Sequence, residues 1–326
     1  MQDANSHVLP DDEHEAIRKS NARIELADAL SAAKPKAIVL AGQPGSGKNG
    51  LTKAAMAEFE QSGGAVIVDT DLLRANHPEY ATLNHADDRT AAAFVQTDAG
   101  KWADELIIDA SDGRRNLIID GTLKNPNNAV QLCRDLKAKG YEIEIRALAV
   151  AKEDSLAGVY GRYEVQKETK GAGRWVDERI HNSAYDGLPR SLKAIERENC
   201  ADRMVVYQRG KDRSPPIIMH SGHGSADALI AERSRERIPE ELAARSQLWK
   251  ETAARIRARD PELREPENRR AVELARVPVR EERSTEQLAG TLEVGKTGNQ
   301  ASSPWRKHSG DKQASKERTE LDARQR

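Results

Sequence analysis

Residues 37–49 read AIVLAGQPGSGKN, and this stretch decides the fold. Residues 37–41 are all apolar, the pattern of a short buried strand, and the glycine-rich run after them breaks it. From there Gly42-Gln43-Pro44-Gly45-Ser46-Gly47-Lys48-Asn49 has the GxxxxGK spacing of a phosphate-binding loop, with Asn where Ser or Thr is usual. The glycines let the backbone turn tightly and aim successive N–H groups at an anion. A helix expected over residues 47–61 adds its N-terminal donors and the positive end of its dipole. Lys48 supplies a mobile cation that reaches the β- and γ-phosphates. The plain alternative is a glycine-rich turn that binds nothing; the strand before it and the helix after it weigh against that. Asn49 offers a carbonyl oxygen able to bind a hard cation in place of the usual hydroxyl. Nucleotide binding with weakened turnover therefore stays open.

Working outward, strand patterns at 37–41, 65–68, 116–119, 142–150, 204–208 and 217–220 alternate with helical ones. The helices are expected over 47–61, 87–110, 128–139, 154–169 and 176–183. Such alternation is the pattern of βαβ units, so the fold class is α/β: a P-loop kinase-type parallel sheet flanked by helices. A helix over 12–33 precedes the first strand and ends before Pro35. The expected organisation is a disordered N-terminus (1–11), a kinase domain (12–222), a charged helical extension (223–290) of solvated helices, and a disordered tail (291–326).

Composition narrows the function classes. The 326 residues contain 52 Lys and Arg against 53 Asp and Glu, so no global field favours nucleic acid or an anionic membrane as partner. Cys133 and Cys200 are too few for a disulfide framework and fit a reducing compartment. The N-terminal residues lack a signal-peptide pattern, and no run approaches the ~18 apolar residues of a membrane span. Cytoplasmic location is the expectation.

A phosphate loop alone does not name a reaction. Residues 66–74 (VIVDTDLLR) place Asp69 and Asp71 just beyond an apolar strand, where a carboxylate can take the proton of an attacking hydroxyl. The competing role is N-cap or first-turn acid of the next helix, and each Asp can serve one role. In residues 117–122 (LIIDGT), Asp120 ends an apolar strand and could hold Mg2+ or its waters, though that pattern alone is common. Arg162 and Arg174 flank a basic loop, KGAGR, and suit contact with a transferred phosphate; a solvated helix face is the bland reading of each.

GQPGSGK, VIVDTDLLRANHPEY, LIIDGT and KGYEIEIRALAVAKEDSLAGVYGRYE, in this order, together resemble the zeta-toxin family of P-loop kinases over residues 14–222. The resemblance implies a kinase that uses ATP or GTP with Mg2+ to phosphorylate the 3′-hydroxyl of the amino sugar in UDP-N-acetylglucosamine. It also implies a toxin–antitoxin pair with a small helical antitoxin that covers the nucleotide site. Carried over residue by residue, Lys48 binds phosphate and Asp71 is the base. Arg162 and Arg174 are the phosphate-directed arginines, and Asp120 stands where the family often has Glu. Thr122 stands at a substrate-contacting position. Asp104, favoured over Glu105, takes the place of a substrate-binding Glu. Two alternatives stand beside this reading: a P-loop kinase for another small hydroxyl substrate, or a catalytically weak nucleotide-binding protein that acts through a partner.

Overall fold

The central strand sets the layering. In β1 (Lys36–Ala41), Ala37, Val39 and Ala41 join one hydrophobic core and Ile38 and Leu40 the other, all with no exposed surface. A strand buried on both faces belongs inside a parallel sheet covered by helices. A computed structural model describes residues 7–210 and 214–276. Its strands are β1, β2 (Val66–Asp69), β3 (Leu117–Gly121), β4 (Glu142–Ala149), β5 (Arg203–Gln208) and β6 (Ile217–Ser221). The sheet order is β2-β3-β1-β4-β5-β6, parallel throughout except for the antiparallel edge pair β5–β6. Strand order reverses around β1, and open sheets of this kind bind ligands beyond the carboxyl ends of the strands at that point.

Helices follow in chain order: α1 (Asp11–Glu25), α2 (Asn49–Phe59), α3 (Thr70–Leu73), α4 (Tyr80–Ala86), α5 (Ala91–Phe94) and α6 (Gln96–Asp112). Then come α7 (Pro126–Ala138), α8 (Lys152–Lys170), α9 (Glu178–Glu198), α10 (Ser225–Ser234), α11 (Pro239–Arg259) and α12 (Pro266–Leu274). The helix expected over 12–33 stops at Glu25. Beyond it Leu30 N donates to Gly63 O at 2.7 Å, and Ser31 forms a bridge with Arg115. The helix expected over 176–183 runs on to Glu198 despite Gly187 and Pro189, residues that argue against a helix locally. Packing overrides them: a side chain at Gly187 would stand 2.1 Å from Lys124 O, so glycine is what lets α9 lie against that loop.

Residues 225–274 depart from the expectation of solvated helices. Ala226 and Leu229 of α10 enter the main core. Trp249, Ala253 and Ile256 of α11 and Ala271 and Val272 of α12 form a third core with Tyr160, Tyr163 and Trp175. Three alanines, Leu229, Ile256, Val272 and a single Trp carry this burial over residues 225–274, so the apolar signal in the sequence is thin. Ion pairs complete it: Arg259 Nη2 donates to Glu164 Oε1 at 2.7 Å, and Glu164 is 2% exposed. The expectations for residues 1–6, 277–290 and 291–326 lie outside the described residues.

One buried ionic group sits within the sheet. Arg146 donates Nη1 and Nη2 to Glu58 (2.7 and 2.6 Å) and Nε to Glu144 (2.8 Å), and Lys36 Nζ also donates to Glu144, at 2.6 Å. Burial alone would raise the Glu144 carboxyl, but Lys36 and Arg146 outweigh it and hold it below the usual range. Arg146→Ala removes three charge-assisted hydrogen bonds and leaves the buried Glu144 dependent on Lys36, so it should destabilise the fold by about 3 kcal/mol, read as a fall in the denaturant midpoint. A midpoint unchanged from the parent protein would refute this.

Candidate active site

The loop between β1 and α2 is built from both sides. Gly45 (φ +77°) and Gly47 (φ +94°) adopt left-handed backbone. A side chain at Gly45 would also stand 2.0 Å from Ser155 O on α8. Gln43 is fully buried; its Nε2 donates to Val150 O (2.9 Å) and Ser155 Oγ (3.0 Å). Arg209, just past β5, donates Nε to Ser46 O at 2.9 Å and Nη2 to Gly45 O. Holding the Ser46 carbonyl outward turns the N–H of the same peptide plane, that of Gly47, the opposite way. Lys48 Nζ donates to Gly42 O at 2.9 Å and lies 3.5 Å from Asp120 Oδ1. A loop of inward N–H groups with a lysine at the first turn of a helix is an anion site.

Beside it, acids and arginines converge at the ends of β2 and β3. Asp69 and Asp120 are register partners on these strands. Asp69 caps α3, accepting from Asp71 N at 2.8 Å. Asp71 is held between Arg74 Nη1 on one oxygen and Arg174 Nη1 (2.6 Å) on the other. Arg162 is mostly buried next to Arg174; burial first, and then the Arg174 charge, push its guanidinium down to about 10, against the pull of Asp71 and Asp69. The Nε atoms of Arg162 and Arg174 are buried without an acceptor among the described residues. Burial raises the Asp120 carboxyl, with Asp69 and Asp71 adding to it and Lys48 opposing; burial and Asp71 likewise raise Asp69. Crowded carboxylates of this kind fit a divalent cation, which neutralises the repulsion that favours their protonation. Among the described residues no three His, Cys, Asp or Glu side chains form a metal cage, so a cation here would share its coordination with phosphates and water.

The Arg174 loop is itself pinned. Asp88 accepts from Gly173 N (2.7 Å), Lys167 Nζ (2.9 Å) and Tyr163 OH (2.8 Å), and Gln166 Oε1 accepts from Arg174 N at 2.8 Å. A side chain at Gly173 would meet Tyr163 O at 2.7 Å. Lys48, Asp71, Asp120, Arg162 and Arg174 therefore share one cluster. Asn49 opens α2 with its side chain exposed. Thr122 is half-buried just past β3, and Asp104 is exposed on α6 with its carboxyl raised by partial burial. Among the described residues no side-chain hydrogen bond joins Asp104 or Thr122 to the cluster, while Glu105 lies 3.4 Å from His14.

A model of the zeta toxin family matches residues 22–214. The chain belongs to the zeta toxin family. That makes it a homologue of toxin–antitoxin toxins with a P-loop kinase fold. It is 31% identical over 185 residues to toxin PezT of Streptococcus pneumoniae, covering 56% of this chain and 72% of PezT. It is 29% identical over 176 residues to toxin zeta of Enterococcus hirae, covering 54% of this chain. The chain spans 61% of the length of that relative. A solved chain from the PezAT chromosomal toxin–antitoxin system of Streptococcus pneumoniae superposes with a TM-score of 0.65 at 26% identity, covering 76% of this chain and 98% of that one.

Several residues of this zeta-toxin site escape a reading of the sequence. Arg74 is legible in principle, because it follows Asp71 by three positions on one helical turn. Gln96, which accepts from Arg74 Nε at 3.2 Å, Asp88 and Arg209 come from distant segments and carry no local signal. No described helix is long and apolar enough to cross a membrane.

Proposed function

We propose that this chain is a kinase that transfers the γ-phosphate of ATP or GTP to the 3′-hydroxyl of the amino sugar of UDP-N-acetylglucosamine, as the toxin of a toxin–antitoxin pair. The observation that carries the reading is Asp71, a carboxylate set between two arginines beside the phosphate loop. In the proposed reaction the sugar hydroxyl attacks the γ-phosphorus, its proton passes to an Asp71 oxygen, and the bond to the β–γ bridging oxygen breaks. The loop N–H groups and Lys48 hold the triphosphate. Arg162 and Arg174 stabilise charge on the transferring group, which requires Arg174 to exchange Asp71 for phosphate oxygen. Asp120 would hold Mg2+, with Asn49 as a second oxygen donor; the ion would supply charge neutralisation between the phosphates. Thr122 and Asp104 are the proposed sugar-nucleotide contacts. Kinship to PezT supports a small helical antitoxin as partner.

Incubating the protein with ATP, Mg2+ and UDP-N-acetylglucosamine should convert the sugar nucleotide to a species one phosphoryl group heavier by mass spectrometry. Phosphorylation of a different UDP-sugar in a parallel panel would keep the kinase and replace the substrate. No phosphorylation of any of them would remove the sugar-nucleotide assignment.

A further inference from the structure

We infer that Arg233, on α10, is a positioning residue for the phosphate loop, acting through Gln43. The inference rests on the nucleotide-binding reading above and assigns a role to a residue outside the stretch matched by the family, residues 22–214.

Pro189 lies inside α9. Proline has no N–H, so the carbonyl four residues earlier, Tyr185 O, loses its helical donor. Arg233 Nη1 takes that place, donating to Tyr185 O at 2.8 Å. The guanidinium lies over the Tyr185 ring, 4.1 Å from its centroid. Its other arm, Nη2, donates to Gln43 Oε1 at 2.6 Å. Gln43 has already committed both amide hydrogens, to Val150 O just past β4 and Ser155 Oγ in the first turn of α8. Ser155 Oγ lies in turn 2.8 Å from the Nε2 of the fully buried His181. Arg233 thus supplies the remaining bond that fixes a loop side chain in one orientation, and Gln43 O accepts from Ser46 N at 3.1 Å within the loop's own turn.

Two features argue for a role beyond packing. Arg233 is 6% exposed, yet its acceptors among the described residues are two neutral oxygens, not a carboxylate. A buried cation without an ion-pair partner is unfavourable in itself. Burial pushes the guanidinium down to about 10 and leaves it charged at neutral pH. A triphosphate in the loop is a counter-ion of the right sign, so nucleotide and Arg233 stabilise each other across Gln43.

A double-mutant cycle on ATP affinity tests this, in the full chain with ATP and Mg2+ by calorimetry. Arg233→Met and Gln43→Met should each weaken binding about tenfold, the scale of one charge-assisted hydrogen bond. The double variant should be no weaker than the poorer single one, because both remove the same link. Equal affinity for parent and Arg233→Met overturns the inference, as do additive losses, which mean two independent packing defects. If Arg233→Met does not fold, Arg233→Lys enters the cycle under the same criteria. A parent chain that binds no ATP removes the nucleotide reading together with the inference. A parent that binds ATP with an additive cycle removes the inference alone.

Discussion

Arg174→Ala should lower phosphoryl transfer by about a thousandfold or more while leaving nucleotide affinity within a few-fold. The loop that carries Arg174 is fixed at both Gly173 N and Arg174 N, by Asp88 and Gln166, so the side chain alone is free to change partners. Its present partner, Asp71, is the group proposed to receive the hydroxyl proton. Arg162 stands behind it, crowded enough by burial and by Arg174 that its charge is disfavoured. An anion arriving between them would relieve that repulsion, and the two buried Nε atoms, without an acceptor among the described residues, are donors it could use. The gain is largest when charge develops on the transferring phosphoryl group, so the loss should fall on the chemical step and not on binding. Single-turnover measurements with saturating ATP separate the two. Arg174→Lys should restore little, because a lysine cannot present the planar fork. A loss under tenfold for Arg174→Ala would place the phosphate contact elsewhere, with Arg162 the next residue to test.

What is legible in the sequence follows from the range of the interactions involved. The phosphate loop, the acids at the ends of β2 and β3 and the strands themselves are local patterns, a few residues each, so GQPGSGK, VIVDTD and LIIDGT can be read directly. The doubly buried β1 shows as an unbroken apolar run for the same reason. Local reading cuts α9 short because Gly187 and Pro189 are helix breakers, whereas what decides their tolerance is Lys124 O on one side and Arg233 on the other. The helices after residue 224 look solvated because their charge is dense. Their buried faces use a few scattered apolar residues, Leu229, Ile256 and Val272 among alanines and one Trp, with Arg259 and Arg233 turned inward to acceptors 95 and 48 residues away in the chain. No periodicity reports such pairings. The same limit applies inside the site: Arg74 lies within reach of helix spacing, but Arg209 meets the loop only through the sheet.

Asp71→Asn should reduce transfer about 10²–10⁴-fold, the usual worth of a positioned general base, with ATP still bound at nearly parental affinity. Three carboxylates crowd this corner, and the structure separates their tasks. Asp69 has one oxygen committed to the Asp71 N–H at the start of α3, where its loss would unseat the helix that carries the base. Asp120 faces Lys48 at 3.5 Å, next to where the phosphates would lie, and there it serves charge balance or a metal ion better than proton transfer. Among the described residues Asp71 is paired with arginines, which release it when phosphate competes for them. The introduced amide would keep the shape and an oxygen acceptor for Arg74, so lost activity would report the missing proton acceptor, not a collapsed site. Product formation at the parental rate would exclude Asp71 as the base. Asp69→Asn would then be the decisive variant, because an amide oxygen still caps α3 and only its capacity to take a proton is gone.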